Sequence, residues 1–128
     1  MDIRLQNFPV PELTNHLIGV AIDVHKFLGP GFLEIVYKDA LELELFHRRI
    51  NFEREKEFII YYKEKILKHR YFADFVILDQ VILEVKAKSG FSEEDYAQTI
   101  NYLKCSGCKV GLILNFGLSK LGIKRVVY

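Results

Sequence analysis

The chain is poor in several features that would settle its class at once. It has only two cysteines in 128 residues, Cys105 and Cys108, too few for a disulfide framework. Their C-x-x-C spacing lacks the second pair that a structural zinc site needs. A redox pair sits at a helix N-terminus, where the dipole lowers the thiol pKa. Here the pair follows a helical stretch and brackets Gly107, a candidate C-cap, so the dipole acts in the wrong direction. Two reduced, half-buried thiols are expected. No uncharged apolar run approaches the ~18 residues of a membrane span, and no signal-peptide pattern opens the chain. The expected location is the cytoplasm, with no membrane partner. A net charge of +1 argues against a protein that coats nucleic acid through bulk electrostatics. Two local basic clusters remain, Lys63, Lys65, Lys68, His69 and Arg70, and Lys120, Lys124 and Arg125, and both read as solvated surface. Repeats, low-complexity tracts and linkers are absent, so residues 1–128 are expected to form a single domain.

What is present is a regular succession of apolar patterns. Leu13, Leu17, Val20, Ala21, Val24 and Leu28 recur at three- and four-residue spacing, which predicts a helix over 12–28. Gly29-Pro30-Gly31 stops it, since proline cannot continue a helix. A second helix is expected over 33–49, with Val36, Tyr37, Ala40, Leu41 and Leu45 on its apolar face. Residues 52–62 read as a strand and Lys63-Glu64 as a turn, and a further strand region culminates in YFADFVIL, 71–78. Asp79-Gln80 turns the chain into VILEVKA, 81–87. Ser92 is a good N-cap for a helix reaching Lys104, and Glu93, Glu94 and Asp95 fill its first turn. KVGLILN, 109–115, has the run of a strand covered on both faces, and IKRVVY, 123–128, that of a charged edge strand. The order predicts an α/β protein with a mixed central sheet flanked by helices.

Three charged residues break the apolar strands. Glu84 and Lys86 interrupt ILEVKAKSG, and their i, i+2 spacing points both to one face. Each needs a partner or a use, because burying either alone costs several kcal/mol. The plain alternative is a structural ion pair at a sheet edge. Asp74 interrupts YFADFVIL in the same way. A hairpin with a three-residue loop at 78–80 pairs Ile77 with Val81 and sets Asp74 opposite Glu84, whereas a two-residue loop points the acids apart. Two adjacent carboxylates repel and invite a cation. Their hard oxygens suit Mg²⁺ or Mn²⁺. Lys86 is then placed to position or deprotonate a metal-bound water and to stabilise a pentavalent phosphate.

The D-x9-E-x-K pattern of Asp74, Glu84 and Lys86 resembles that of the PD-(D/E)xK nucleases. Gly31, Glu34 and Tyr37 in GFLEIVY, directly after HKFLGPG, further resemble the GxxExxY family of that superfamily. The resemblance runs from about Leu13 to Val127 and takes in ADFVI, ILEVKA, AQTINYLK and KVGLILNFG. It implies a restriction-endonuclease-like core and Mg²⁺- or Mn²⁺-dependent hydrolysis of DNA or RNA. It further implies Glu34, Asp74 and Glu84 as metal ligands, Lys86 as catalytic lysine and Gln98 facing the site. Other readings stand beside these: Gly31 as N-cap with Glu34 at N3 in a capping box, Gln98 as a solvated helix residue, and Tyr37 as a pocket wall or core aromatic. His25 reads as packed or capping. Two departures weaken phosphate binding: Phe72 stands where such proteins often carry arginine, and Asp95 where they often carry histidine. A non-catalytic binding module for nucleic acid or a protein partner is the alternative function, and a homodimer is possible in either. Without metal the acids are expected to titrate high, and Asp74→Asn to be neutral or stabilising.

Overall fold

Helix α1 (Val10–Leu28) and helix α2 (Glu34–His47) lie together on one face of a five-stranded sheet. The structure is a computed structural model that describes residues 10–128. The opening of the chain, read above as free of a signal peptide, lies outside that range. Leu13, Leu17, Val20, Ala21 and Val24 form the buried stripe of α1, each side chain larger than alanine contributing roughly 1.5–3 kcal/mol by leaving water. His25, at the end of that stripe, is packed: its Nε2 lies 2.9 Å from the Leu118 carbonyl oxygen. Tyr37 is a core aromatic. It stacks on Phe116 with ring centres 4.6 Å apart. Its hydroxyl donates to the Gly29 carbonyl at 2.6 Å and accepts the Phe32 N–H at 3.2 Å, tying down the loop between the helices.

Strands β1 (Phe52–Tyr62), β2 (Lys65–Ile77), β3 (Val81–Lys86), β4 (Val110–Asn115) and β5 (Gly122–Val127) lie side by side in that order. All neighbours are antiparallel except β3 and β4, which are parallel. Helix α3 (Glu93–Ser106) makes that crossover and covers the second face, where Tyr102 and Leu103 pack with Phe58, Val76, Ile82 and Ile113. The expected mixed sheet flanked by helices is therefore present. The central strands β3 and β4 are buried almost throughout, and β5 is an edge as its charges suggested. Among the described residues no helix is long and apolar enough to cross a membrane.

Two local expectations need correction. Helix α2 begins with Glu34 as its first residue and Leu33 as N-cap. Gly31, at φ +111°, is outside the helix, so the capping box proposed for Gly31 and Glu34 does not form. Helix α2 also ends two residues early, because Arg49 turns into the left-handed region at φ 57°. The cysteines behave as read, with α3 ending at Ser106 and Gly107 as its left-handed C-cap. Both are free, although Cys108 is fully rather than half buried, and burial pushes both thiols up.

Candidate active site

The hairpin register is the one that a three-residue loop imposes. Ile77 pairs with Val81, Val76 with Ile82 and Phe75 with Leu83. The ladder then stops, one step short of Asp74 and Glu84. Side chains replace it: the Asp74 N–H donates to Glu84 Oε2 at 2.7 Å, and the Val85 N–H donates to Asp74 Oδ2 at 2.8 Å. The two acids thus interlock across a gap between splayed strands, each held by the other's strand. Charge-assisted bonds of this kind are roughly twice as strong as neutral ones.

The disturbance extends to β1. Arg54 pairs with Phe75 and Lys56 with Ala73, but Glu55, between them and across from Asp74, adopts φ 53°. On one side of this point Phe52 and Phe75 face the α1–α2 layer; on the other, Phe58 and Ala73 face α3. The pleat therefore skips one residue in both strands, at Glu55 and Asp74. A left-handed glutamate costs of order 1–3 kcal/mol and persists where its surroundings impose it. Lys38, from α2, bridges the two skipped residues. Its buried ammonium pairs with Asp74 Oδ1 at 2.9 Å and also with Glu55.

Glu34 lies one helical turn before Lys38, so both address the same region. It is open to solvent, yet partial burial of its carboxylate and the charge of Asp74 hold it above the ordinary value. Glu84, 2% exposed, is pushed well above the ordinary carboxylate range by burial and then by Asp74. Lys38 resists the burial that would discharge it, because its bonds to Glu55 and Asp74 raise it instead.

Lys86 follows Glu84 on the same face of β3. Its Nζ lies 3.4 Å from Gln98 Oε1 and 3.9 Å from Asp95 Oδ1, both on α3. Asp95 is 4% exposed. Burial works against its charge, but the Lys88 ammonium at 2.8 Å and the Ser92 N–H at 2.9 Å hold it below the ordinary value. The loop after β3 is clamped by the buried Asn115, the partner of Lys86 on β4. Asn115 Oδ1 accepts the N–H groups of Lys88 and Gly117, and its Nδ2 donates to the Gly90 carbonyl. A side chain at Gly117 would collide with the backbone of Lys88, its Cβ falling 2.4 Å from the nitrogen. Only glycine permits so close an approach.

The fold thus gathers Glu34, Asp74, Glu84, Lys86 and Gln98 between the start of α2, the splayed strands and α3. Sequence reasoning missed Lys38, Glu55 and Asn115 as members of the neighbourhood, and took Asp95 only as a helix-start acid standing in place of a histidine. Lys38 carried a signal, because it shares the buried helix stripe with Leu41 and Leu45. Glu55 carried none, since its place depends on the skipped pleat. The acids do not form a ready metal cage: among the described residues, no group of three or more His, Cys, Asp or Glu is arranged to hold an ion. Lys38 occupies the cation position beside Asp74 instead.

A family described as the PD-(D/E)XK nuclease superfamily matches residues 11–126. The chain belongs to the PD-(D/E)XK nuclease superfamily. Nucleases of this superfamily generally use divalent metal ions. The crystal structure of SSO0001 has a similar fold, with a TM-score of 0.59 at 20% identity over 72% of this chain and 48% of that one. The chain spans about half the length of that protein, and the likeness is one of fold alone. No curated protein matches the chain.

Proposed function

We infer that this superfamily member is a divalent-metal-dependent phosphodiesterase acting on nucleic acid, and that its GFLEIVY segment marks it as a GxxExxY protein. The observation that carries the reading is the interruption of the β2–β3 ladder by two interlocked carboxylates, with Lys86 next along β3. A fold that sought only stability would pair these strands through their backbones, since buried acids are weak contributors to stability. The donor set fits Mg²⁺ or Mn²⁺: hard oxygens of Asp74 and Glu84, with Glu34 within electrostatic reach. That the cluster accommodates the Lys38 ammonium supports its affinity for a cation. A bound ion would polarise the phosphate and acidify an attacking water. In this reading Asp74 and Glu84 would hold the ion, with Glu34 the further acid that would contribute to it. Lys86 holds the attacking water and the charge that develops on the phosphate, and Gln98 orients the lysine. Asp95, in place of the histidine, pairs with Lys88 at 2.8 Å and lies 3.9 Å from Lys86, holding both lysines at this end of the site.

One observation favours a second reading. Lys38 already neutralises Asp74 and Glu55 in a largely buried position, as a purely structural network in a non-catalytic module would. Thermal melting with and without Mn²⁺ separates the two. The enzyme reading expects stabilisation that follows RT ln(1 + [L]/Kd), ~2.7 kcal/mol at a hundredfold excess over Kd, and its loss in Glu84→Gln. Equal melting temperatures at millimolar ion would favour the module.

A further inference from the structure

Beyond Glu55 and Asp74 the first two strands pack on α3 through Phe58, Tyr71 and Ala73 and then run on past it. Residues 61–70, the end of β1, the Lys63-Glu64 turn and the start of β2, are all exposed. Tyr61 pairs with Ile66 and Tyr62 with Lys65. Cross-strand pairs share a face and successive pairs alternate, so both faces of this ribbon carry apolar surface. Tyr61 and Tyr62 are 65% and 62% exposed, and Ile66 and Leu67 are open as well. The same stretch holds Lys63, Lys65 and Lys68 against the single acid Glu64, together with Arg70, which pairs with Glu57 of β1, while the whole chain carries only +1. Positive charge is therefore concentrated on an arm that continues the two strands carrying Glu55 and Asp74.

An isolated two-stranded ribbon is marginal in water, and exposed tyrosines and aliphatics on both of its faces do not help it. A flat partner would cover one face. A groove covers both and lines them with phosphates. We propose that residues 61–70 form a DNA-binding ribbon that enters the major groove of a B-form duplex. That groove, about 12 Å wide, admits a two-stranded ribbon, whereas the major groove of duplex RNA is too deep and narrow. At about 3.3 Å per residue, β2 runs roughly 13 Å from Asp74 to Arg70 and roughly 30 Å to Lys65. The proposal rests on the nuclease reading only for the nature of the polymer.

The test is binding of a fluorescein-labelled DNA duplex of roughly 20 base pairs, about two helical turns, measured by anisotropy in EDTA so that neither metal nor cleavage enters. Wild type is compared with a variant carrying Lys63→Gln, Lys65→Gln and Lys68→Gln. The side chains are exposed, so an unchanged melting temperature verifies the fold. The variant is expected to lose about 10- to 100-fold in affinity at low salt, with a log–log salt slope shallower by roughly 2–3. Unchanged affinity and slope would overturn the proposal. So would wild type that binds no duplex, prefers the single strand or duplex RNA, or shows the arm substitutions altering only self-association. The Mn²⁺ melting response, measured separately, still decides the nuclease reading in each of those cases.

Discussion

At the scale of single residues, the central feature is a carboxylate cluster held in check by a lysine. Asp74 is bonded to Lys38 and to the Val85 N–H, so Asp74→Asn is expected to destabilise the metal-free protein by roughly 1–3 kcal/mol. This reverses the expectation drawn from sequence, which weighed repulsion between the acids without Lys38. Lys38→Met should cost about 2–4 kcal/mol without metal, because it leaves a buried acid unpaired, and should enlarge the stabilisation by Mn²⁺. Chemical denaturation of each variant in EDTA and in Mn²⁺ measures both. Lys86→Ala should keep the metal response and lose cleavage of a nucleic-acid substrate, read on a gel. Glu84 also sets a pH dependence. Its folded pKa lies well above the ordinary 4.5, so the folded state binds a proton more tightly than the unfolded one. Stability in EDTA should therefore rise as pH falls from neutrality toward about 4.5. It should decline below about 4 as Asp95, held low in the fold, is protonated. Melting curves across that range should lose the upper limb in Glu84→Gln; an unchanged limb would show that Glu84 is not its source.

At the scale of elements, periodicity located every helix and strand among the described residues, and most errors fell at ends. The end of α2 shows why. The Ile50 N–H donates to the Leu45 carbonyl and the Arg49 N–H to that of Phe46, closing the helix in a Schellman motif with Leu45 and Ile50 both buried. The left-handed position falls on Arg49, where glycine is the usual residue, so composition gave no stop signal. Arg49→Gly should raise stability by roughly 0.5–1 kcal/mol, as removal of the left-handed penalty outweighs the greater freedom of glycine in the unfolded chain. A fall in the denaturation midpoint would contradict that. The sequence left the β2–β3 register open between two loop lengths that predicted opposite outcomes for Asp74 and Glu84, and the pairing of Ile77 with Val81 decides for the three-residue loop. The skipped pleat at Glu55 was not legible, since Lys38, which pairs with Glu55 and Asp74 there, lies on another element.

At the scale of the whole molecule, three layers converge on one break in the sheet. Helix α2 supplies Glu34 and Lys38, the splayed strands supply Glu55, Asp74, Glu84 and Lys86, and α3 supplies Asp95 and Gln98. Patterns within single strands pointed to Asp74, Glu84 and Lys86, and the resemblance to a nuclease family added Glu34 and Gln98. The countercharges were hidden because long-range pairing of a lysine with an acid leaves no local trace. The arm formed by residues 61–70 likewise looked like ordinary solvated charge until its two exposed faces were seen together. The proposed function requires that the interlocked acids bind a divalent ion. Calorimetric titration of wild-type protein with Mn²⁺, beside Glu84→Gln and Lys38→Met, tests this directly. Saturable binding to wild type, lost in Glu84→Gln and tightened in Lys38→Met, is the predicted result. No heat of binding in wild type or in Lys38→Met at millimolar Mn²⁺ would contradict it and leave the cluster a structural network.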